Sequence, residues 1–408
     1  MVKKMILCSA VGCLVIAGCG GARERSAEDT CRRQPGEDGR LHSAAPTGTR
    51  FTGDRYVRRL RWIAEHDIIE ASGAVGTPRQ GIVPVTGGSD PEPDYGAPTQ
   101  HHVGVLRLRD GEVLWQRPGS FSRTGPASTR VLAASTGQTG LSTFGAFDLQ
   151  TGRASACGLP RPARILDDGT AVGITPDRLT RVRLRDGASL WRSPVTGRFQ
   201  HAVTGDGVVV ASTDPDDPTR GLSASETTTQ VSALRLSDGS PLWEITDRAG
   251  PGPNAVDLPE RTVLGIADER VVITDRHRLR GHRTSDGKLL WSRPSPRWHD
   301  GATFTVADER LLIAAQRRVT AYRMADGTVD WTAPTPNLPV LSASAASGGL
   351  LYAPISQRPG LAVLNLHRGN ISTTLTGVVS DSWGRDVTIG DGVLIVQERK
   401  RTLAFDLR

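Results

Sequence analysis

An all-β propeller of eight four-stranded antiparallel blades is the fold this sequence predicts, and three observations predict it. A turn glycine followed four residues later by tryptophan recurs along the chain, as in Ser285-Asp286-Gly287-Lys288-Leu289-Leu290-Trp291. Residues before each turn alternate apolar and polar, as in Leu234-Arg235-Leu236, Tyr322-Arg323-Met324 and Phe147-Asp148-Leu149. That is the period of a strand with two unlike faces. The interval between turns is close to the length of four short strands with their connections, the signature of a propeller blade.

The turn unit recurs at Asp110-Gly111 with Trp115, Asp186-Gly187 with Trp191, Asp238-Gly239 with Trp243, and Asp326-Gly327 with Trp331. Two worn copies complete the series: Thr151-Gly152, followed by Cys157 instead of tryptophan, and Arg368-Gly369, followed by Thr373. By subtraction the glycines lie 41, 35, 52, 48, 40 and 42 residues apart. Asp-Gly supplies positive φ cheaply, so each is expected to form a two-residue hairpin loop. Tryptophan on the following strand offers a large flat surface for docking a neighbouring blade, which casts Trp62, Trp115, Trp191, Trp243, Trp291 and Trp331 as blade-docking residues. Blade six shows its four strands plainly, at 302–307, 310–315, 319–324 and 328–333. Apolar second strands are expected at 81–85, 130–135, 207–212, 270–274, 350–353 and 392–396. Tyr56 to Ile63 reads as a fourth strand without its blade, and Arg401 to Arg408 as a third strand without its turn. Together they close the ring as an eighth, composite blade. Seven blades is the alternative if the worn repeat at Gly369 is irregular.

Ala233-Leu-Arg-Leu-Ser-Asp-Gly-Ser-Pro-Leu-Trp243 and Ala146-Phe-Asp-Leu-Gln-Thr-Gly152 resemble the Ala-x-Asp-x-x-Thr-Gly-x-x-x-Trp repeat of PQQ-like propellers. That family includes quinoprotein dehydrogenases and the propeller lipoprotein of an outer-membrane assembly machine. The resemblance covers residues 51–408 and speaks to fold, because the motif only docks one blade onto the next. It implies that a quinone enzyme of this type would carry a vicinal disulfide, a calcium site and a catalytic aspartate. No adjacent cysteines occur here and no residue matches that aspartate, so no cofactor is expected.

Lys3 and Lys4 precede an apolar run from Met5 to Ile16, which reads as an export signal over residues 1–18. Ile16-Ala17-Gly18-Cys19 resembles the lipobox of bacterial lipoproteins, which implies acylation of Cys19 by palmitate-type chains. The protein is then expected on the extracytoplasmic face of the cell membrane, with the lipid as sole anchor. Residues 19–50 are poor in packing side chains and read as a flexible tether, spanning on the order of 30 Å as a coil. The propeller follows from residue 51. Cys8 and Cys13 leave with the signal and Cys19 is acylated; Cys31 and Cys157 remain, and in an exported protein they are expected to pair. A disulfide there would pin the tether to blade two. Of 50 Lys and Arg residues only Lys3, Lys4, Lys288 and Lys400 are lysines, and the arginines are scattered rather than clustered. No nucleic-acid partner is expected.

The sequence contains no Gly-x-Ser-x-Gly, phosphate loop, His-Glu-x-x-His or Cys-x-x-Cys-His motif. Insertions at 86–102, 213–229 and 246–260 stand out instead. In an up-and-down blade, connections from strand two to three and from strand four to the next blade share one rim, so all three insertions fall on one face. Long loops on a rigid scaffold are the usual place for recognition. The candidate recognition rim comprises His101, His102, Asp214, Asp216, Asp217, Trp298, His299 and Asp300. Its carboxylates lack the glycine and terminal glutamate of a calcium loop, so no metal is assigned. Arg107, Arg183, Arg235, Arg283 and Arg323 stand where the repeat prefers aspartate, which survives at Asp148 and Asp406. Such a register forms a ring, which either surrounds an acidic ligand or is solvated or paired with a neighbouring blade. The expected function is non-catalytic binding of a protein or other envelope partner, with an envelope-assembly scaffold and a residual quinone dehydrogenase as alternatives.

Overall fold

The computed structural model describes residues 31–32, 45–65, 80–89, 100–119, 131–135, 144–213, 228–248, 262–296 and 302–408, less a few short gaps. They form eight antiparallel sheets. Blades three to seven have four strands each, and blades one and two show their second, third and fourth strands. Blade eight is composite. Asp386–Gly390, Val393–Gln397 and Arg401–Leu407 come from the end of the chain, and Val57–Glu65 pairs outside them. The worn repeat at Gly369 builds a complete blade from Ala345–Ser347, Leu350–Pro354, Leu361–Asn365 and Ile371–Thr374. The described residues thus form eight sheets, seven with a turn glycine of their own and one composite.

Apolar clusters run from each blade to the next and close the circle. Trp62 and Ala404 of blade eight pack with Val83, Val85 and Leu106 of blade one. Val172 and Leu179 of blade three meet Val209 and Leu234 of blade four. Tyr352, Leu361 and Val363 of blade seven return to Leu394 and Phe405 of blade eight. The core of this molecule is therefore a ring of seams, each supplied by two sheets.

One hydrogen bond repeats at six of the seams. The indole N–H donates to the backbone carbonyl three residues before the next blade's turn glycine: Trp62 to Leu108 at 2.8 Å, Trp115 to Leu149 at 2.8 Å, Trp191 to Leu236 at 2.9 Å. Trp243 reaches Thr284, Trp291 reaches Met324, and Trp331 reaches Leu366. The seams lacking tryptophan use substitutes. In blade two, four residues beyond Gly152 stands Ala156, not Cys157, and the Ser155 hydroxyl donates to Leu184 O at 2.9 Å in the indole's place. Between blades seven and eight, Asp54 accepts the N–H groups of Tyr56 and Val57 and the hydroxyl of Thr374.

The Asp-Gly units are not two-residue loops. Arg323 N bonds Thr328 O and Gly327 N bonds Arg323 O, which leaves four residues in the loop. Only the glycine has positive φ, +67° at Gly327. The aspartate acts through its side chain, as Asp326 Oδ1 accepts Thr328 N–H at 2.8 Å. True two-residue loops lie between first and second strands, where both central residues have positive φ: Asp206-Gly207, Asp268-Glu269, Asp308-Glu309, Gly348-Gly349 and Asp391-Gly392. Gly239, Gly287, Gly327 and Gly369 also make room for a docking tryptophan. A Cβ on Gly327 would lie 2.4 Å from Trp291, and one on Gly287 2.7 Å from Trp243. Gly327→Ala is expected to lose roughly 1–3 kcal/mol to backbone strain, plus a further loss from displacing Trp291. Gly392 has φ +71° with open space around it, so Gly392→Ala should show the strain alone. Equal shifts in the denaturation midpoint for the two variants would refute the docking role.

The segment assigned to the tether belongs partly to the fold. Ala45–Pro46 pairs with Ile63 and Trp62 as a fifth, outermost strand of blade eight, and Arg50 bridges to Arg59. The bond between Cys31 and Cys157 is formed, and Cys31 is fully buried. Low hydrophobicity hid these attachments because backbone pairing and one covalent link hold the segment. Residues 1–30, including the stretch read as an export signal and Cys19, lie outside the described residues.

Candidate interaction rim

Strand registers assign the two rims. At one end the start of the third strand faces the end of the fourth: His102 opposite Pro118, Thr228 opposite Arg248, Arg278 opposite Pro294. The connections containing 86–102, 213–229 and 246–260 leave from this end. The Asp-Gly turns and the turns between first and second strands occupy the other, while the two-residue turn Gln316-Arg317, between the second and third strands of blade six, lies on this one.

Part of the first insertion is regular sheet rather than loop. Ile82–Ser89 and Gln100–Arg107 stay paired outward to Ser89 opposite Gln100, placing His101 opposite Gly88 and His102 opposite Gly87. His102 is 3% exposed, so its side chain is not a rim contact. Alternation explains this: continuing the strand turns every second residue inward. Likewise Thr228–Arg235 and Pro241–Arg248 carry the pairing of blade four into the second and third insertions. Asp214, Asp216, Asp217, Trp298, His299 and Asp300 lie outside the described residues. Among the described residues no group of three or more His, Cys, Asp or Glu side chains converges as a metal site.

The arginine register is answered on the turn rim. Arg107 pairs with Asp110 at 2.9 Å, Arg183 with Asp186 at 2.9 Å, and Arg283 with Asp286 at 2.8 Å, each three residues on; Arg235 and Asp238 are 3.7 Å apart. Arg323 turns to Asp330 at 2.9 Å. Each guanidinium thus has a carboxylate within its own blade, an alternating collar rather than an anion-binding ring. The surviving Asp148 caps its own turn through Gln150 and Thr151, and Asp406 accepts Arg59 at 2.9 Å and also Arg61.

These partners hold the carboxyl groups acidic. Hydrogen bonds from Arg310 and Arg323 keep Asp330 below its ordinary value of 3.8, and those from Thr328 do the same for Asp326. At Asp54 burial pushes upward, but Thr374, the Tyr56 and Val57 amides and Arg408 together outweigh it. Groups depressed in the native state take up protons first in the unfolded chain. Their stabilisation is complete above pH 3.8 and is lost as pH falls through the lower native values. The thermal midpoint should therefore hold steady at mildly acidic pH and drop below 3.8; Asp54→Asn should flatten part of that drop.

Two features went unread in the sequence. Leu190, Leu289, Leu290 and Val329 are exposed apolar side chains on outer strands just past the turns, at 41%, 49%, 37% and 54%. Their signal was the position two or three after the turn glycine, ahead of the inward-facing tryptophan. The second feature is Arg117, two residues after Trp115. It is 4% exposed, lies 3.9 Å over the Phe147 ring, and donates to Gly152 O at 3.2 Å and Cys31 O at 2.8 Å. Burial pushes its guanidinium down to about 10. The disulfide sits against this group, with Cys31 Sγ only 2.7 Å from where a Cβ on Gly145 would lie. Nothing local announces such a pocket, since its parts come from three distant stretches.

Residues 228–408 match a family model described as outer membrane protein assembly factor BamB. No curated protein sequence matches the chain. Among solved structures, a quinohemoprotein alcohol dehydrogenase of Pseudomonas putida HK5 aligns with a TM-score of 0.51 at 10% identity, over 85% of this chain and 75% of that one. BamB of Moraxella catarrhalis aligns with a TM-score of 0.49 at 16% identity, over 84% of this chain and 98% of its own. The likeness to that assembly-factor family covers residues 228–408, a little under half of the chain, and the alignment with the dehydrogenase speaks to the propeller fold alone.

Proposed function

We propose, from the resemblance of this chain to PQQ-like propellers, that it is a lipid-anchored extracytoplasmic scaffold that binds a protein partner and catalyses no reaction. The observation that carries this reading is the match of residues 228–408 to the assembly-factor family. The disulfide supports the compartment, because such bonds persist outside the reducing cytosol. Lipid attachment at Cys19 follows from the lipobox resemblance and the short apolar run before it. The binding face is the insertion rim, where 213–229 and 246–260 leave neighbouring ends of blade four. The turn rim is committed to docking and to internal ion pairs, which leaves its side chains less free to recognise another molecule.

Cross-linked envelopes of the native host, taken through pull-down with and without residues 214–227, test the reading. A partner captured by the full chain and lost on shortening that loop is expected, with the thermal midpoint unchanged. Capture that survives the deletion but fails after changes at Asp286 and Arg283 would move the working face to the turn rim. Globomycin should leave the precursor uncleaved. Calcium- and quinone-dependent dye reduction by purified protein would instead establish the dehydrogenase alternative.

A further inference from the structure

We propose that the Cys31–Cys157 disulfide sets how the propeller stands on a lipid surface, holding the seam of blades one and two toward the bilayer. The inference rests on acylation of Cys19. Twelve residues separate Cys19 from Cys31, by subtraction. Whatever their conformation, twelve residues span at most about 43 Å. Without the disulfide the first described attachment of the chain to a sheet is Ala45, twenty-six residues from Cys19 and on the edge of blade eight. That leash reaches about 94 Å at full extension. The disulfide thus more than halves the reach and moves the pivot from blade eight to blade two.

The pivot is fixed rather than hinged. Cys31 is fully buried, covalently bound to the outer strand of blade two, and held through its carbonyl by Arg117 of blade one. It shares an apolar cluster with Trp115, Phe147 and Leu149 from both blades. In a ring of eight, the seam between blades five and six lies opposite that between one and two. The exposed Leu289, Leu290 and Val329 stand on those two blades. A short leash at one pole keeps this apolar edge away from the bilayer, where a long leash from blade eight would let it touch lipid.

The test uses acylated full-length protein in phosphatidylglycerol vesicles carrying a lipid-bound energy acceptor. A donor fluorophore replaces Arg153 or Lys288, exposed residues that each follow a turn glycine, in blades two and five. Transfer from position 153 should exceed that from 288, and the Cys31→Ser/Cys157→Ser pair should abolish the difference. Inserting twelve Gly/Ser residues after position 20, with the disulfide intact, should weaken transfer at 153 without touching the fold. Equal transfer at both positions in the acylated wild type overturns the inference alone. Protein that leaves the host unacylated, by mass of its amino-terminal peptide, overturns the anchor and this inference together.

Discussion

Trp62→Ala is expected to lower stability by about 3–5 kcal/mol, the range for removing a fully buried large aromatic side chain. Trp62 is 0% exposed and packs between Val83, Leu106 and Leu108 of blade one and Val393, Ile395 and Ala404 of blade eight. Its indole N–H satisfies Leu108 O, which would be left buried without a donor. The position also matters for closure, because Trp62 lies on the amino-terminal strand that completes a carboxy-terminal blade. Trp331→Ala, at a seam within the continuous chain and only partly buried, should cost less. Urea denaturation of the two variants checks this. Comparable losses would show that seam closure carries no more weight than any other docking contact.

Removing the disulfide is the second large effect. Replacing Cys31 and Cys157 by serine should cost about 2–4 kcal/mol, since the bond closes a long loop in the unfolded chain. The sequence separation is 126 residues, for which loop-closure entropy alone gives an upper figure of about 4.9 kcal/mol. The realised loss falls below that figure because only part of the amino-terminal segment is tied into a sheet. A structural cost adds to it: Arg117 loses the Cys31 carbonyl it donates to and gains access to water beside Phe147. Reduced wild type and the double variant should melt at the same temperature, below the oxidised protein. An unchanged midpoint on reduction would show that the bond constrains the segment without stabilising the propeller.

Local chemistry made the repeat legible. The turn glycine, the tryptophan four residues later and the alternating strand before them are spaced by the geometry of one hairpin, so they survive as a pattern in sequence. The composite blade was readable for the same reason: a fourth strand at Trp62 and a third strand ending at Leu407 each lack a partner nearby. The pairing of Cys31 with Cys157 followed from elimination among five cysteines in a chain read as exported. What each turn does was not readable. Asp-Gly carries the same letters in a two-residue loop at Asp206-Gly207 and a four-residue loop at Asp238-Gly239, and only the strand register separates them. The arginine register looked like a ring for a ligand because sequence gives position but not direction; folded, four of the side chains reach the aspartates of their own turns and Arg323 reaches Asp330 on the next strand. His102 read as a rim residue until pairing carried its strand past the expected loop boundary. Arg117, Phe147 and Cys31 form one pocket from three separated stretches, and Ala45–Pro46 joins blade eight through backbone bonds that leave no mark on side-chain pattern. Period and turn chemistry are properties of neighbours in sequence, so the chain alone determined the architecture. Burial, pairing direction and the seat of the amino-terminal segment depend on contacts between distant residues, and only the closed ring decided them.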